Sequence, residues 1–509
     1  MAHLPPEIWG YITHFIPQTD IYPQLLGLNQ AFLYTALDIK WREVDLWTRA
    51  LAQTLRVLTR LRDPFIARRV QRLNITLLFH EPIPAAPVAL SNSPTRYRRI
   101  AKRLLALFEG RQNEEALQNA QLTPVHPFHR LITGLLECTP HLINVSAFNF
   151  QLVNIEPRMP INHTLHSLLA TSWKSFGHNL RSLSLSTKLE DFHNSSFRSS
   201  EFSNLTHLEI KLYYGARAMK KLRQDNALLV DVLAPFLTKL EPHLRSLKLI
   251  LWAPVDYSAF FSRLAATAEF GSLRTLSLHI IDFDKNVHDH SGLRTFLCRS
   301  PRRRLRTLDL NIRVGNEEDL QVSHFLKECA NEKAWLAEVD DLTMNPFNHN
   351  AVGTDALCRF IGAVSGSLTH LAFKEHPCSS RFAMSIVDAL THCEMLAVLE
   401  LGLDSISIEL VDRIAARLPN LHGLAMYHLM VHHDVDYDKF ITDLAKRTYD
   451  KWALKEIAVY RALIRPKPDR ALAFAVVRST PGITTVFNRQ RKKTFQQQLA
   501  ASQAQRQVT

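Results

Sequence analysis

A six-residue phrase of alternating apolar and polar positions returns nine times along the chain. The clearest copy is Leu305–Leu310, which reads Leu-Arg-Thr-Leu-Asp-Leu. The copies begin 25 to 39 residues apart, at Leu180, Leu205, Leu244, Leu273, Leu305, Val339, Leu368, Leu396 and Leu421. Alternation with a period of two is typical of a β-strand that buries one face. Its recurrence at this interval predicts a stacked repeat architecture.

The segments between the copies have an amphipathic pattern that predicts helices of two to four turns. Clear examples are residues 226–240, 318–330, 354–364 and 381–391. One strand and one helix cannot enclose a core alone, so neighbouring units must stack. We therefore expect an α/β solenoid over residues 140–465, with a parallel sheet inside and helices outside.

This repeat resembles the leucine-rich repeat family in its longer, helix-containing form. The family's Asn or Cys, eight residues after the first leucine, is replaced here by residues such as Lys188, Tyr213 and Trp252. The resemblance implies that the side chains alternating with the leucines form the binding face of the sheet. On that face three lysines stand against four carboxylates, so it is nearly neutral and mostly small or polar.

Less regular segments precede and follow the predicted solenoid. Residues 48–139 are predicted to be a helical linker with early irregular repeats, including a proline-rich loop at 80–94. Weaker patterns predict repeat strands at 142–147 and 165–169. Residues 466–509 form a C-terminal extension, basic and then Gln-rich, which we expect to be disordered at its end.

The N-terminal pattern predicts three short helices within residues 1–47. Proline suits the first turn of a helix, and apolar residues follow at helical spacing. The stretch resembles an F-box, on these positions: Leu4, Pro5, Glu7, Ile8, Ile12, Asp20, Ile21, Leu25, Leu28, Asn29 and Phe32. The resemblance implies docking on a Skp-type adaptor, and through it on a cullin–RING ubiquitin ligase. The residues expected to contact the adaptor are Leu4, Pro5, Glu7, Ile8, Ile12, Ile21, Leu25, Leu28 and Phe32.

The residue after the first leucine is an arginine in four of the first five copies, namely Arg181, Arg245, Arg274 and Arg306. Stacked strands place equivalent positions about 5 Å apart, which predicts a cationic stripe where the strands begin. Such a stripe suits an acidic or phosphorylated segment of a protein substrate. The alternative, which the pattern favours, is a solvated edge that keeps the solenoid soluble.

Charge and composition narrow the remaining function classes. The net charge of +13 and the pI near 9.5 raise the question of nucleic acid, but the presumed binding face has too few cations for it. There is no glycine-rich phosphate loop and no nucleophile elbow, and the six cysteines include no Cys-x-x-Cys pair. We therefore expect no catalytic residues, no cofactor and no metal.

The expected function is substrate recognition for a ubiquitin ligase, with an unidentified protein substrate. A repeat scaffold outside any ligase, with the N-terminal helices as a cap, is the alternative. A basic protein associated with nucleic acid is a third. No apolar run is long enough to span a membrane and no secretory signal pattern is present, so we expect a cytoplasmic or nuclear protein.

Overall fold

The computed structural model describes residues 8, 11, 12, 15, 30–78, 127–153, 162–188, 201–213, 226–298, 305–314, 320–345, 351–431, 437–461 and 467–486. These residues fall into two compact units. The first comprises the described residues of Met1–Leu180 and Asn194–Phe202. The second comprises those of Arg181–His193 and Ser203–Thr509.

The first unit alternates helices with a parallel sheet. Its strands are Glu43–Trp47 (β1), Arg72–Leu78 (β2) and Ala147–Val153 (β3). Its helices are Gln30–Trp41 (α1), Leu51–Leu61 (α2), Pro64–Ala67 (α3), Pro127–Cys138 (α4) and Asn162–Phe176 (α5), with short 3₁₀ turns at Thr48–Ala50, Thr139–His141 and Gly177–Asn179. β2 pairs in parallel with both β1 and β3.

The second unit repeats the same strand–helix alternation. Its strands are Ser182–Lys188 (β4), His207–Tyr213 (β5), Ser246–Leu251 (β6), Thr275–Ile280 (β7), Thr307–Ile312 (β8), Asp341–Met344 (β9), His370–Cys378 (β10), Val398–Ile406 (β11), Gly423–Val431 (β12), Glu456–Arg461 (β13), Lys467–Pro468 (β14) and Thr485–Val486 (β15). Its α-helices are Ala234–Leu240 (α6), Ser258–Thr267 (α7), Phe283–Asn286 (α8), Ser291–Cys298 (α9), Gln321–Asn331 (α10), Ala351–Val364 (α11), Ser380–Ala389 (α12), Ile408–Arg417 (α13), Tyr437–Ala445 (α14) and Arg470–Ser479 (α15). A π-helical turn at Leu229–Leu233 precedes α6, and 3₁₀ turns lie at Lys333–Leu336 and Leu390–His392.

Every consecutive pair from β4 to β13 is parallel and hydrogen-bonded. β15 continues the parallel pairing on β13, whereas β14 pairs with β13 in the antiparallel sense. Parallel strands need a crossover connection, and the intervening helices supply it. The second unit is thus an open α/β solenoid of the leucine-rich-repeat type, as the sequence predicts.

The leucines of the repeated phrase form continuous apolar rows because the pairing keeps them in register. The row through the fourth position of the phrase is at most 2% exposed: Leu183, Leu208, Leu247, Leu276, Leu308, Leu342, Leu371, Leu399, Leu424 and Ile457. The row through the sixth position is equally buried. Fully burying a leucine contributes on the order of 1.5–3 kcal/mol, so these rows are the main stabilising element of the sheet.

The structure differs from the sequence expectations at four places. Residues 142–147, expected as a strand, contain only the first residue of β3, Ala147–Val153, because a turn occupies the positions before it. Strand pairing begins at residue 43, at the end of the stretch expected to be helical and ahead of the early irregular repeats expected within residues 48–139. Residues 165–169, expected as a strand, lie inside helix α5. Leu165, Leu168, Trp173 and Phe176 are buried at helical spacing there, which explains the assignment. Helix α15 and strand β15 continue the alternation past the expected limit at residue 465.

The helical layer of the second unit contains one very close approach. Gly292 is the second residue of α9 and faces Ser262 of α7. A Cβ atom built on Gly292 would lie 2.6 Å from the backbone nitrogen of Ser262 and 2.8 Å from its Cα. The two helices can pack at this distance only because residue 292 has no side chain.

Within the described residues, none of the helices combines the length and the apolar character that a membrane crossing requires.

Candidate binding surface

Backbone hydrogen bonds place the four predicted arginines along one line at the start of strands β4 to β8. The amide of Thr206 donates to the carbonyl of Arg181 (3.0 Å), and the amide of Arg245 donates to that of Thr206 (2.8 Å). The amide of Arg274 then donates to Arg245 O (2.8 Å), and that of Arg306 to Arg274 O (2.9 Å). We call Arg181, Arg245, Arg274 and Arg306 the arginine row.

All four side chains of the arginine row are exposed. Arg306 Nη1 lies 3.7 Å from Asp340 Oδ2, and Asp340 occupies the next position of the same line. Arg181, Arg245 and Arg274 form no ion pair with any described residue. The row is therefore most strongly cationic over β4 to β7 and is neutralised where Asp340 begins. Arg302, Arg303 and Arg304 precede Arg306 in the sequence and would extend the charge of the row, but they lie outside the described residues.

The polar face of the second unit carries an accessible pair of charges on β5 and β6. Glu209 on β5 lies opposite Ser184 on β4 and Lys248 on β6. Ser184 Oγ donates to Glu209 Oε2 at 3.0 Å, and Lys248 Nζ lies 3.1 Å from Glu209 Oε1. Both charged side chains keep more than a third of their surface exposed. Such an exposed pair contributes little to stability, so it is available to a partner.

An exposed tryptophan lies beside this pair. Trp252 follows β6, and its amide donates to Leu212 O at 2.9 Å. Lys211 Nζ lies 3.9 Å from the centroid of its indole ring, a cation–π geometry. Burial lowers the pKa of Lys211 below its ordinary value. Trp252 is not among the binding residues predicted from the sequence, although exposed tryptophan is typical of interface hot spots.

Further along the sheet the polar side chains bind one another instead of facing solvent. His279 Nε2 lies 2.9 Å from Asp309 Oδ2, and Ser277 Oγ donates to the same oxygen at 2.7 Å. His279 Nδ1 lies 3.3 Å from the side-chain Nδ2 of Asn311. Nucleophilic catalysis needs the serine to donate to the histidine, and here both donate to the aspartate. The cluster therefore holds strands together in the manner of a structural network.

A histidine bridges three strands in the next part of the sheet. His370 Nδ1 lies 2.7 Å from Asp341 Oδ1, and His370 Nε2 lies 3.2 Å from Glu400 Oε1. Burial by itself lowers the pKa of His370, but the hydrogen bonds to the two carboxylates outweigh it and leave the pKa above its ordinary value. When the ring is protonated it donates to both carboxylates, and the three strands are then joined by charge-assisted hydrogen bonds.

The structure describes only three of the nine residues expected to contact an adaptor. Leu4, Pro5, Glu7, Ile21, Leu25 and Leu28 lie outside the described residues. Ile8 is 45% exposed and Ile12 is half-buried, so both can be reached by a partner. Phe32 is 3% exposed on the inner side of α1, next to buried Ala36 one turn later. A direct contact between Phe32 and a partner would require its side chain to be uncovered.

Two further apolar side chains of the N-terminal helical residues are exposed. Tyr11 is 68% and Phe15 is 72% exposed, and their ring centroids lie 5.1 Å apart in an edge-to-face arrangement. With Ile8 they are spaced three and four residues apart, as on one face of a helix. Neither Tyr11 nor Phe15 is among the contact residues predicted from the sequence.

The described part of the chain contains no group of His, Cys, Asp and Glu side chains that could hold a metal ion. The six cysteines are present as free thiols. Burial raises the pKa of Cys378 to about 12, so this thiol stays protonated at neutral pH.

The geometry defines a leucine-rich-repeat solenoid whose accessible chemistry lies on β4 to β7: an arginine row at the strand starts, with Glu209, Lys248 and Trp252 on or beside the sheet.

No family model matches the chain, and no curated protein matches it. Solved structures with a similar fold include the leucine-rich repeat-containing protein LegL7 from Legionella pneumophila, with 15% identity and a TM-score of 0.39, covering 65% of this chain and 96% of that one. The complex of Rad7 and Elc1 in yeast matches with 16% identity and a TM-score of 0.39, covering 71% and 79%. A protein from Bacteroides fragilis matches with 14% identity and a TM-score of 0.32, covering 67% and 85%. Similarity at this level carries no information about function.

Proposed function

We propose that this protein is a substrate-recognition subunit of a cullin–RING ubiquitin ligase, in which the N-terminal helices bind a Skp-type adaptor and the solenoid binds the substrate. The solenoid is then a protein-interaction scaffold, and its contribution to ubiquitin transfer is positional. Holding a substrate lysine near a charged conjugating enzyme raises the effective concentration of the two reactants. No catalytic residue of this chain is needed for that role.

The observation that supports the adaptor half of the proposal is the exposure of Ile8, Tyr11 and Phe15. Three large apolar side chains at helical spacing are costly to leave in water, and such a patch is typical of an interaction site. They fall inside the stretch that resembles an F-box. Aromatic side chains of this kind account for much of the binding energy at interfaces.

We expect the double substitution Tyr11→Asp and Phe15→Asp to abolish retention of a co-expressed Skp-type adaptor. Two exposed aromatic anchors are lost and two charges are placed in an apolar interface, so affinity should fall at least about 30-fold. The measurement is co-purification of the adaptor with the full-length chain. Point variants are preferable to deleting the first 48 residues, because Val44 and Leu46 of β1 are buried and their loss would uncover β2.

The matched control is the pair Met395→Asp and Phe474→Asp. These side chains are 52% and 55% exposed, so the substitutions also replace two exposed apolar side chains by charges, but at sites in the second unit. The control should retain the adaptor as the unmodified chain does. If the unmodified chain itself retains no adaptor, the ligase assignment fails and the protein is a repeat scaffold outside any ligase.

For the substrate half, the arginine row favours an acidic segment. We expect the full-length chain to bind a fluorescein-labelled peptide with six consecutive glutamates, and Arg245→Glu with Arg274→Glu to weaken that binding about tenfold or more. Arg263→Glu with Arg381→Glu reverses two exposed arginines elsewhere in the second unit and serves as the control. If the two double variants bound the peptide equally well in fluorescence anisotropy titrations, the arginine row would contribute to solubility and not to binding.

A further inference from the structure

The first unit has a groove of about 720 Å³ that plays no part in the proposed adaptor or substrate contacts. Its walls come from α1, from α3 and from the residues that lead into β2. The side chains that matter for its chemistry are Ile39, Arg42, Pro64, Phe65, Arg68 and Arg69. Three arginines and an exposed aromatic ring therefore line one opening.

Arg69 is the fixed cation of this groove. Its Nη1 donates to the carboxylate of Asp38 and, at 3.2 Å, to the carbonyl of Tyr34. Its guanidinium carbon lies 4.4 Å from the ring centroid of Phe65 and 5.2 Å from that of Tyr34. Only 12% of the side chain is exposed, and Nε is buried without a hydrogen-bond partner among the described residues. The guanidinium is therefore held in place by Asp38 and the two aromatic rings, and it forms a fixed part of the groove wall.

Arg42 and Arg68 are the free cations of the groove. Their backbone carbonyls are engaged, since Arg42 O accepts from the amides of Gln71 and Arg72, and Arg68 O accepts from Asn144 Nδ2 at 2.6 Å. Their side chains are exposed and form no ion pair with any described residue. The backbone is thus held in place while two guanidinium groups remain available at the rim.

The charges of the groove do not cancel. Its one acidic lining residue, Asp38, is already bound to Arg69, which leaves Arg42 and Arg68 as uncompensated positive charge. Two guanidinium groups suit a doubly charged oxyanion, because each can form two parallel hydrogen bonds to its oxygens. A phosphoryl group carries close to two negative charges at neutral pH, whereas a carboxylate carries one.

The apolar wall restricts what carries the phosphoryl group. Phe65 is 47% exposed, and Pro64 and Ile39 lie beside it. Such a wall favours a ligand with apolar surface next to its charge, which free phosphate lacks. A nucleic-acid backbone repeats its charge every few ångströms and needs a longer run of cations than these two. We propose that this groove binds a phosphorylated side chain within a protein segment.

The test uses the full-length chain and two immobilised peptide pools with degenerate flanks, one centred on phosphoserine and one on serine. A degenerate pool makes the result independent of any one sequence. We expect the phosphoserine pool to retain the chain at least about tenfold more strongly than the serine pool. Equal retention by the two pools would show that the groove does not select a phosphoryl group.

Charge-reversal variants assign the binding to this groove. Arg42→Glu with Arg68→Glu should remove the preference for the phosphoserine pool, because both free cations become anions. Arg56→Glu with Arg60→Glu is the matched control, since these arginines are exposed on α2 of the same unit but outside the groove. If the preference instead disappears with Arg245→Glu and Arg274→Glu, the arginine row is the phosphoryl site and the groove is not.

Two competitors distinguish the sources of the phosphoryl group. The first competitor is inorganic phosphate, compared with a soluble phosphoserine peptide. If both displace the chain from the pool equally well, the peptide around the phosphoryl group contributes nothing to binding. Single-stranded oligothymidylate that displaces it, with a steep dependence on salt, would show a nucleic-acid site. The proposal is independent of adaptor binding, so Tyr11→Asp with Phe15→Asp should leave the preference unchanged.

Discussion

Replacing Asp469 by alanine is expected to lower the free energy of unfolding of the C-terminal end of the second unit by about 3–5 kcal/mol. Asp469 is 4% exposed at its side chain and faces His428, which is 1% exposed, at 3.1 Å between Oδ2 and Nε2. Tyr437 donates its hydroxyl to Asp469 Oδ1 at 2.6 Å, and Arg461 Nη2 lies 3.3 Å from Oδ2. Removing the carboxylate leaves the buried His428 and the partly buried Tyr437 without this acceptor, which is more costly than the lost bonds alone, whereas the exposed Arg461 can turn to solvent.

The same side chain also begins a helix. Asp469 is the N-cap of α15, where it accepts a hydrogen bond from the amide of Leu472 at 3.2 Å. Losing an N-cap costs on the order of 1 kcal/mol in addition. Because a stacked repeat unfolds locally, we expect the effect to be confined to its neighbours.

Hydrogen exchange measures this prediction directly. Amide protection in β12, β13 and α15 should fall steeply in Asp469→Ala, while β7 and β8 keep their protection. Asp450→Ala removes an exposed carboxylate from the same end of the unit and should leave every segment unchanged. Uniform protection in Asp469→Ala would show that the network contributes no net stability.

The same network should make this end of the protein sensitive to acid. Burial alone would raise the pKa of Asp469, but the hydrogen bonds from His428, Tyr437 and Leu472 outweigh it and hold the pKa well below its ordinary value. A depressed carboxyl pKa gives stability that is present above about 3.9, the unfolded value, and is lost as pH falls further. The difference in protection between the unmodified chain and Asp469→Asn should therefore be constant from pH 7 to 5 and narrow below about pH 4.

Replacing Gly292 by alanine should destabilise the second unit by about 1–3 kcal/mol, from overpacking between α7 and α9. We expect the upper end of that range. The added Cβ would lie 2.6 Å from Ser262 N and 2.8 Å from Ser262 Cα, and backbone atoms cannot rotate away as a side chain can. The two helices must therefore move apart to accept the Cβ atom. Each of them belongs to a connection between two neighbouring strands of the solenoid, which restricts that movement.

Gly362→Ala is the matched control with the opposite sign. Gly362 lies inside α11, and nothing is within 4 Å of the position that a Cβ atom would occupy. Alanine there should raise the free energy of unfolding by up to about 1 kcal/mol, because it favours the helix over the unfolded chain. Equilibrium denaturation of both variants gives the comparison, and a neutral Gly292→Ala would show that the helices can move apart without cost.

Much of the solenoid could be read from the sequence, because its apolar pattern is local. Leu308 and Leu310 alternate with polar residues within one strand, and a period of two is visible without any knowledge of the neighbours. Weak copies could not be read so well. Val44 and Leu46 give β1 only two buried positions, and the apolar residues at 165–169 fit a strand or a helix. Only the burial of further residues along α5, at helical spacing, decides that residues 165–169 are helical.

The binding surface was predictable in part for the same reason. The position of each arginine of the row follows from the repeat, and the backbone hydrogen bonds align them as expected. Its relation to function stays a prediction. Asp340, Trp252 and the groove around Arg69 were not identified, because their partners lie 30 or more residues away in the sequence or on other elements.

The sequence by itself determined the repeat, the alternation of strand and helix, and the residues that face away from the core. These properties depend on the spacing of side chains along one strand or one helix, which the order of amino acids fixes directly. Tertiary structure alone decided which polar side chains remain free. Asp309 and Glu400 are engaged by His279 and His370 on other strands, whereas Arg245 forms no ion pair with a described residue. Such pairing depends on which strands become neighbours and at what register, and each strand can satisfy its own alternation without specifying either.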